Sequence, residues 1–353
     1  MAPYLILIFL GLAFILFPRK YDKVNTFLYS GIIIFIACFR DITIGTDNFG
    51  YFDKLSMLGL DNLNMLIKYG IYEPGMIYLY YYLNSIGAAN YIPAAIQFVV
   101  LFTGIIHLTN RYSLRPIISI VFFVILGFFF ISLNIIRQFT CIGIMLFLIP
   151  LIEGKIKQKI IYFIAVIFIS LFIHKSGLIF LIPLLLVKYK NKISNKSKPY
   201  ILILLFSLVG SQVSNQIAPF IGGVLQFSNY ASYTTSEGFI NHENGFRLIL
   251  AQSLICFLYI ICTKNKHDLP FLLYFISVIL FNILQSFSFA AARITYGFSL
   301  FSIIYFVNIL YSTPRSYKRS FIYMLTISYF LFYTYSMFLI GNSGEIVPYK
   351  MAF

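Results

Sequence analysis

Charge is what this sequence has least of. Only 10% of its 353 residues are charged, while 60% are hydrophobic; a soluble domain carries roughly 25% charged residues. A water-soluble surface is therefore excluded. No segment between the apolar runs is long enough to fold alone, which excludes a separate soluble domain. CxxC and other metal-ligand spacings are absent. Cys38, Cys141, Cys256 and Cys262 sit inside or at the ends of apolar runs, as small buried residues do. No basic residue precedes the first run, PYLILIFLGLAFILF, and PRKYDK follows it. That is the reverse of a signal peptide, so the run is expected to stay as an anchor with its N-terminus outside. No internal repeat is evident, and the only low-complexity stretch is the lysine-rich KYKNKISNKSK.

What the sequence has is a series of apolar runs, many of them near the roughly 20 residues that cross a bilayer as helix. They lie near 2–18, 26–39, 91–109, 116–132, 138–152, 160–173, 176–187, 199–211, 247–262, 269–285, 293–310 and 320–340. The expected fold is an all-α polytopic membrane bundle, one membrane domain over residues 1–353. A further run at 75–87 is thirteen residues long, about 20 Å as helix against about 30 Å of hydrocarbon.

Charge placement decides how that run is read. If 75–87 does not cross, loops 19–25, 110–115, 153–159, 188–198, 263–268 and 311–319 share one side. They hold 18 of the 26 Lys and Arg and three acids, a net +15. The other side holds eight basic residues and eight acids, a net charge of zero. Cytoplasmic loops are enriched in Lys and Arg, so the basic side is inside. The reading is about twelve transmembrane helices, both termini outside, and a re-entrant or interfacial outer helix at 75–87. It lies within an extracytoplasmic segment, 40–90; a second outer loop spans 212–246. The basic loops answer to orientation and anionic lipid, which excludes a nucleic-acid partner.

The outer face then carries four arginines, Arg40, Arg137, Arg247 and Arg293, each near a span end. Arginine matches phosphate oxygens in a fork, so a bound anion is one reading; interfacial anchors or partners of the outer acids are the other. SLNIIRQFTCIGI places Asn134, Arg137 and Gln138 on one face if the turn is helical. SLFIHKSGLIF puts His174, Lys175 and Ser176 into an apolar run, and histidine has the pKa for proton transfer. In GTDNFGYFDKL, Thr46 or Asp47 reads as an N-cap, and Phe49, Phe52 and Leu55 suggest a short amphipathic helix on the membrane. YGIYEPG sets Glu73 at a helix N-terminus, where the dipole favours an acid. Tyrosines follow at 78 and 80–82, normal at an interface and also suited to sugar rings.

The ordered set is Arg40, Gly45-Thr46-Asp47, Tyr51, Glu73 before a Tyr-rich short helix, Arg137-Gln138, His174-x-Ser176, Arg293-x-x-Tyr296 and Pro348-Tyr349. It resembles the EpsG family of Wzy-type polysaccharide polymerases over nearly the whole chain. The resemblance implies a membrane glycosyltransferase that joins oligosaccharide repeat units carried on undecaprenyl diphosphate. Donor and acceptor are both lipid-linked, and the active site faces outward from the bacterial plasma membrane. It implies partners such as a chain-length regulator and a flippase. The chain has no glycine-rich nucleotide motif, and neither a cofactor nor a metal is expected. In this reading Arg40, Arg137, Gln138 and Arg293 bind the diphosphate. Tyr51, Tyr72, Tyr296 and Arg247 bind sugar. The catalytic base is Asp47, Glu73 or His174, with Asp47 first. A flippase for the same lipid-linked sugars is the alternative; internal symmetry, common in transporters, is not visible between the two halves.

Overall fold

The structure, a computed structural model, describes residues 1–47, 60–68, 73–189, 192–225, 242–285, 289–312 and 317–352. Among the described residues there is no strand, only one isolated antiparallel bridge between Arg40 and Met351. The chain packs as two compact units, Met1–Leu181 with Tyr323–Phe353, and Ile182–Ile322.

The first unit contains α1 (Ala2–Leu16), α2 (Asp22–Cys38), α3 (Leu60–Lys68), α4 (Pro74–Ser85) and α5 (Ile92–Tyr112). These are followed by α6 (Pro116–Ile125), α7 (Phe128–Asn134), α8 (Ile136–Leu148), α9 (Ile156–Phe172) and a 3-10 stretch, Lys175–Leu181. Proline opens several of them, at the first or second position of α1, α4, α5 and α6. There its missing N–H costs no bond and its fixed φ suits the first turn. The second unit contains α10 (Ile182–Tyr189), α11 (Ser197–Leu225), α12 (His242–Cys262), α13 (Leu269–Leu284) and α14 (Arg293–Ser312). The last helix, α15 (Tyr317–Thr334), runs into a π-helical turn, Tyr335–Ile340.

Each apolar run is helical, but the runs and the helices do not coincide. Among the described residues four helical stretches are long and apolar enough to cross a membrane: Ile92–Tyr112, Ile136–Glu153, Arg293–Ser312 and Ser320–Ile340. A fifth counts if α6 and α7, bent by 61°, form one span. That is fewer than the twelve crossings expected. Local breaks are one reason. The run at 116–132 is divided at Gly127, whose φ of +84° is left-handed and suits glycine. The run at 176–187 is part 3-10 and part α-helix. Conversely, the outer loop expected over 212–246 is helical as far as Leu225 and again from His242. Polarity ended the apolar run there, but a helical ladder does not need apolar residues to continue. The short helix expected at 75–87 is present as Pro74–Ser85. The amphipathic helix expected over Phe49, Phe52 and Leu55 lies outside the described residues.

Helices α5 and α8 pack backbone to backbone. A Cβ on Gly104 would sit 2.2 Å from the Gly143 carbonyl oxygen, and one on Gly143 2.4 Å from Leu101 Cα. Small residues allow this approach, the usual basis of helix association where lipid removes the hydrophobic drive. The contact fixes α8, whose first turn carries Arg137.

Polar contacts in the first unit sort by end. Asp22 pairs with Arg115, and Tyr112 donates to Glu153 at 3.0 Å. All four belong to loops assigned to the basic side. Glu73 pairs with Arg137, Thr46 donates to Asn134, and the Asp41 amide donates to the Lys350 carbonyl at 2.9 Å. All of these belong to the opposite side.

Candidate functional site

Glu73 occupies the N-cap position of α4, just before Pro74, yet its side chain makes no cap bond there. It turns instead to the first turn of α8, where Arg137 Nη1 donates to Glu73 Oε2 at 3.0 Å. The other carboxylate oxygen accepts the Lys175 backbone N–H at 3.4 Å. Gly75 makes this arrangement feasible: a Cβ there would lie 2.7 Å from the Phe172 carbonyl oxygen. Glycine thus lets the start of α4 reach the end of α9, where the chain turns into His174 and Lys175.

His174 sits in that turn, with its Nδ1 engaged. The Ser176 backbone N–H donates to it at 3.2 Å, and the Ser176 hydroxyl lies 2.8 Å away. An Nδ1 that accepts an amide proton leaves the ring proton on Nε2. Burial pushes the imidazole pKa down to about 4; the charges of Arg137 and Lys175 push the same way, and Glu73 opposes them. His174 is therefore a neutral donor through Nε2 at ordinary pH.

A polar thread supports the pair from beneath. The Tyr80 phenol is hydrogen-bonded with Gln97, and Gln97 Oε1 accepts from Thr140 Oγ1 at 3.3 Å. This ties α4, α5 and α8 together, with Gln97 almost wholly buried. Arg40 and Arg137 both act electrostatically on Tyr80.

The structure rearranges the expected site. Asn134, Arg137 and Gln138 do not share a helical face, because Ile135 leaves the helix at φ −89°, ψ 58° between α7 and α8. Asn134 turns to Asp47 instead. Its Oδ1 accepts from Thr46 Oγ1 at 2.5 Å and from the Asp47 backbone N–H at 3.3 Å. A distant segment thus supplies an acceptor oxygen to that turn. Gln138 is buried in the first turn of α8 beside Arg137. Arg40 lies at the end of α2, donating to the Ala37 and Leu133 carbonyls, the latter at 3.4 Å. Tail contacts hold that end: Tyr349 Oη donates to the Ile36 carbonyl at 3.0 Å, and the Ala352 amide to that of Phe39 at 3.0 Å.

Arg247, Arg293 and Tyr296 belong to the second unit. Arg247 is exposed near the start of α12, and half-buried Arg293 begins α14 with its charge acting on Tyr296. Tyr51 and Tyr72 lie outside the described residues. Among the expected catalytic and diphosphate-binding residues, Glu73, Arg137 and His174 are brought together. Lys175 and Tyr80 join them, and so does Gln97, which the sequence reading did not single out. Among the described residues no group of three or more His, Cys, Asp or Glu could hold a metal ion.

No curated protein matches the chain, and no solved structure does. The model of the EpsG family matches residues 23–351, nearly its whole length. An all-helical chain with a largely buried carboxylate–guanidinium pair and a neutral histidine at one end of its first unit thus belongs to the EpsG family, a family of Wzy-like polymerases.

Proposed function

We propose that the chain is a glycosyltransferase that joins oligosaccharide repeat units carried on undecaprenyl diphosphate, at the outer face of a bacterial plasma membrane. The observation that carries this is the Glu73–Arg137 pair with His174 beside it. The twelve-crossing arrangement is part of the same reading. The sorting of Asp22–Arg115 and Glu73–Arg137 to opposite ends of the first unit supports it.

The chemistry asks for little. A hydroxyl of the acceptor sugar attacks the anomeric carbon of the donor. The bond from that carbon to the diphosphate oxygen breaks, the electron pair leaves with undecaprenyl diphosphate, and the hydroxyl proton passes to a base. Charge grows on the leaving diphosphate, so cationic and N–H donors aimed at it lower the barrier. Arg137 is the principal donor, and His174 adds Nε2–H as a neutral one. A histidine whose Nδ1 already accepts and whose protonation is opposed is a poor base. Glu73 is occupied: one oxygen holds Arg137 and the other accepts the Lys175 amide. Asp47 is left as the base, on the turn that Asn134 holds three residues before Arg137.

The test is lengthening by purified protein. Given lipid-linked repeat units and no energy source, it is expected to produce longer lipid-linked chains. Movement of the units across a vesicle bilayer without lengthening would favour the flippase and overturn the polymerase reading.

A further inference from the structure

The chain ends in a segment that the proposed chemistry does not use. Pro348-Tyr349 is the last of the ordered motifs, and none of the proposed reacting groups lies in the tail that carries it. That tail is held in one shape. Asn342, Gly344 and Glu345 have φ of 48°, 93° and 54°, a region that side chains other than glycine rarely adopt. Non-glycine residues persist there only where their surroundings over-determine them. The Asn342 side chain closes the loop: Nδ2 donates to the Val347 carbonyl at 2.7 Å, and Oδ1 accepts the Val347 N–H at 2.7 Å. The loop is moored on the last helix, where the Ser343 amide donates to the Met337 carbonyl at 2.9 Å. Ile346 is fully buried, and Tyr4 of α1 donates to its carbonyl at 3.1 Å.

What the tail holds is the stretch that leads to Asp47. Residues 350–352 run antiparallel to 39–41: the Asp41 amide donates to the Lys350 carbonyl at 2.9 Å, and the Ala352 amide to the Phe39 carbonyl at 3.0 Å. The chain then makes a turn of its own. Asp41 Oδ1 accepts the Thr43 amide and hydroxyl at 2.9 and 2.6 Å, and the Ile44 amide returns to the Asp41 carbonyl at 3.0 Å. Past the turn the tail takes hold again, where the Gly45 amide donates to the Glu345 carbonyl at 3.2 Å. Two residues on, Asp47 donates its amide to the Asn134 carboxamide. Gly344 lies against that same carboxamide: a Cβ at 344 would sit 3.0 Å from Asn134 Nδ2. The tail thus grips the Asp47 stretch directly on both sides of its turn, and a second time through Asn134.

A base must stand within hydrogen-bond reach of the proton it takes, and a misplacement of about 1 Å can cost 10²-fold in rate. We propose that the C-terminal tail, residues 342–352, positions the base: the Glu345 and Lys350 carbonyls fix the backbone before Asp47, and Gly344 sets the Asn134 carboxamide that fixes Asp47 itself. Asn342 and Gly344 are positioning residues, since they act on Asp47 through other groups. The inference rests on the polymerase reading, in which Asp47 takes the proton of the acceptor hydroxyl.

The experiment uses the full chain in lipid nanodiscs. Lengthening of lipid-linked repeat units, binding of inorganic pyrophosphate, thermal unfolding and amide exchange over residues 39–47 are measured on the same preparations. Gly344→Ala adds a Cβ against Asn134 at a positive φ. It is expected to lower kcat severalfold, the order of one displaced hydrogen bond, and to speed exchange over 39–47. KM and pyrophosphate binding should stay near wild type, because an interaction made only in the transition state lowers kcat and leaves ground-state binding alone. Asn342→Gly tolerates the positive φ and adds no bulk, yet loses both bonds to Val347; it should change kcat and exchange in the same direction. Gly344→Ala combined with Asn134→Ala should lose less than the product of the two single losses, since sites that act through one another are not additive. Normal kcat in both tail variants of a wild type that lengthens removes the tail proposal alone. A kcat loss matched by losses in pyrophosphate binding and in thermal stability also overturns it, as does a double variant whose loss is the full product. Wild type that lengthens nothing, with faster exchange over 39–47 in both tail variants, removes the polymerase and leaves the tail holding the turn. Unchanged exchange in both variants removes the tail in either case.

Discussion

Two buried ion pairs stand at opposite ends of the first unit, and their geometries differ. Asp22 and Arg115 meet side-on through two bonds, Nε to Oδ2 at 2.5 Å and Nη2 to Oδ1 at 2.6 Å. Arg115 Nη2 also reaches the Phe17 carbonyl at 3.4 Å. Glu73 and Arg137 meet through one bond at 3.0 Å, and Glu73 spends its second oxygen on the Lys175 amide. A bidentate pair is a geometric lock. In the proposed reading the single-bond pair, with a backbone amide and an imidazole beside it, is where the anionic diphosphate docks. A carboxylate and a guanidinium make a clamp in one place and a candidate reaction centre in the other. What separates them is how the neighbouring backbone is presented: by the ends of α1 and α5 around the first, by the N-termini of α4 and α8 around the second.

Substitutions can break that contrast, and the largest effect is expected at Arg137. Arg137→Ala should lower lengthening about 10²- to 10³-fold, as loss of a donor to developing charge does, while single repeat units still arrive at the cell surface. Surface polymer ladders of normal length in this variant would remove Arg137 from the chemistry. Asp22→Asn is expected to act on stability instead, by about 3–5 kcal/mol, the cost of leaving one partner of a buried pair alone. Thermal unfolding in detergent reads this, and turnover per folded molecule should stay near wild type.

His174 sharpens the contrast through pH. An unfolded histidine titrates near its ordinary value of 6.5, and the folded one near 4. Between these the unfolded chain binds the proton first. Stability should therefore fall as pH drops from about 6.5 to about 4, and the site should not depend on His174 ionisation above that window. His174→Gln, which keeps an N–H donor, should remove this pH dependence from thermal unfolding and retain more turnover than His174→Ala. Equal turnover in the two variants would count against a donor role. The smallest effect is expected from Asn134→Ala, which releases the turn carrying Asp47. A loss of one or two hydrogen bonds, about 1 kcal/mol each, should lower turnover severalfold, whereas Asp47→Asn should remove most of it.

The sequence made the charged members of the site visible because the chain has so few charges. Glu73, Arg137 and His174 each interrupt an apolar surrounding, and no orientation rule explains them. Their grouping was not legible. Gly75, which admits α9 against the start of α4, looks like any turn glycine after proline. Ile135 is an unremarkable apolar residue, yet its backbone parts Asn134 from Arg137 and sends them to different partners. Gln97 and Tyr80 were hidden for the opposite reason: with 28 tyrosines in the chain, Tyr80 carries no signal alone. The helical class followed from the apolar runs. The helix ends did not, because runs mark polarity while Gly127, the prolines and the 3-10 stretch mark the breaks. The tail's contacts with Phe39, Asp41 and Gly45 join residues some three hundred positions apart, a distance over which no local pattern speaks.

The most direct test of the contrast is turnover per folded molecule in Arg137→Ala and Arg115→Ala, measured side by side on lipid-linked repeat units in nanodiscs. A fall of about 10²- to 10³-fold is expected for Arg137→Ala, and for Arg115→Ala near-normal turnover in whatever fraction remains folded. Equal losses in the two, or a greater loss at Arg115, would contradict it.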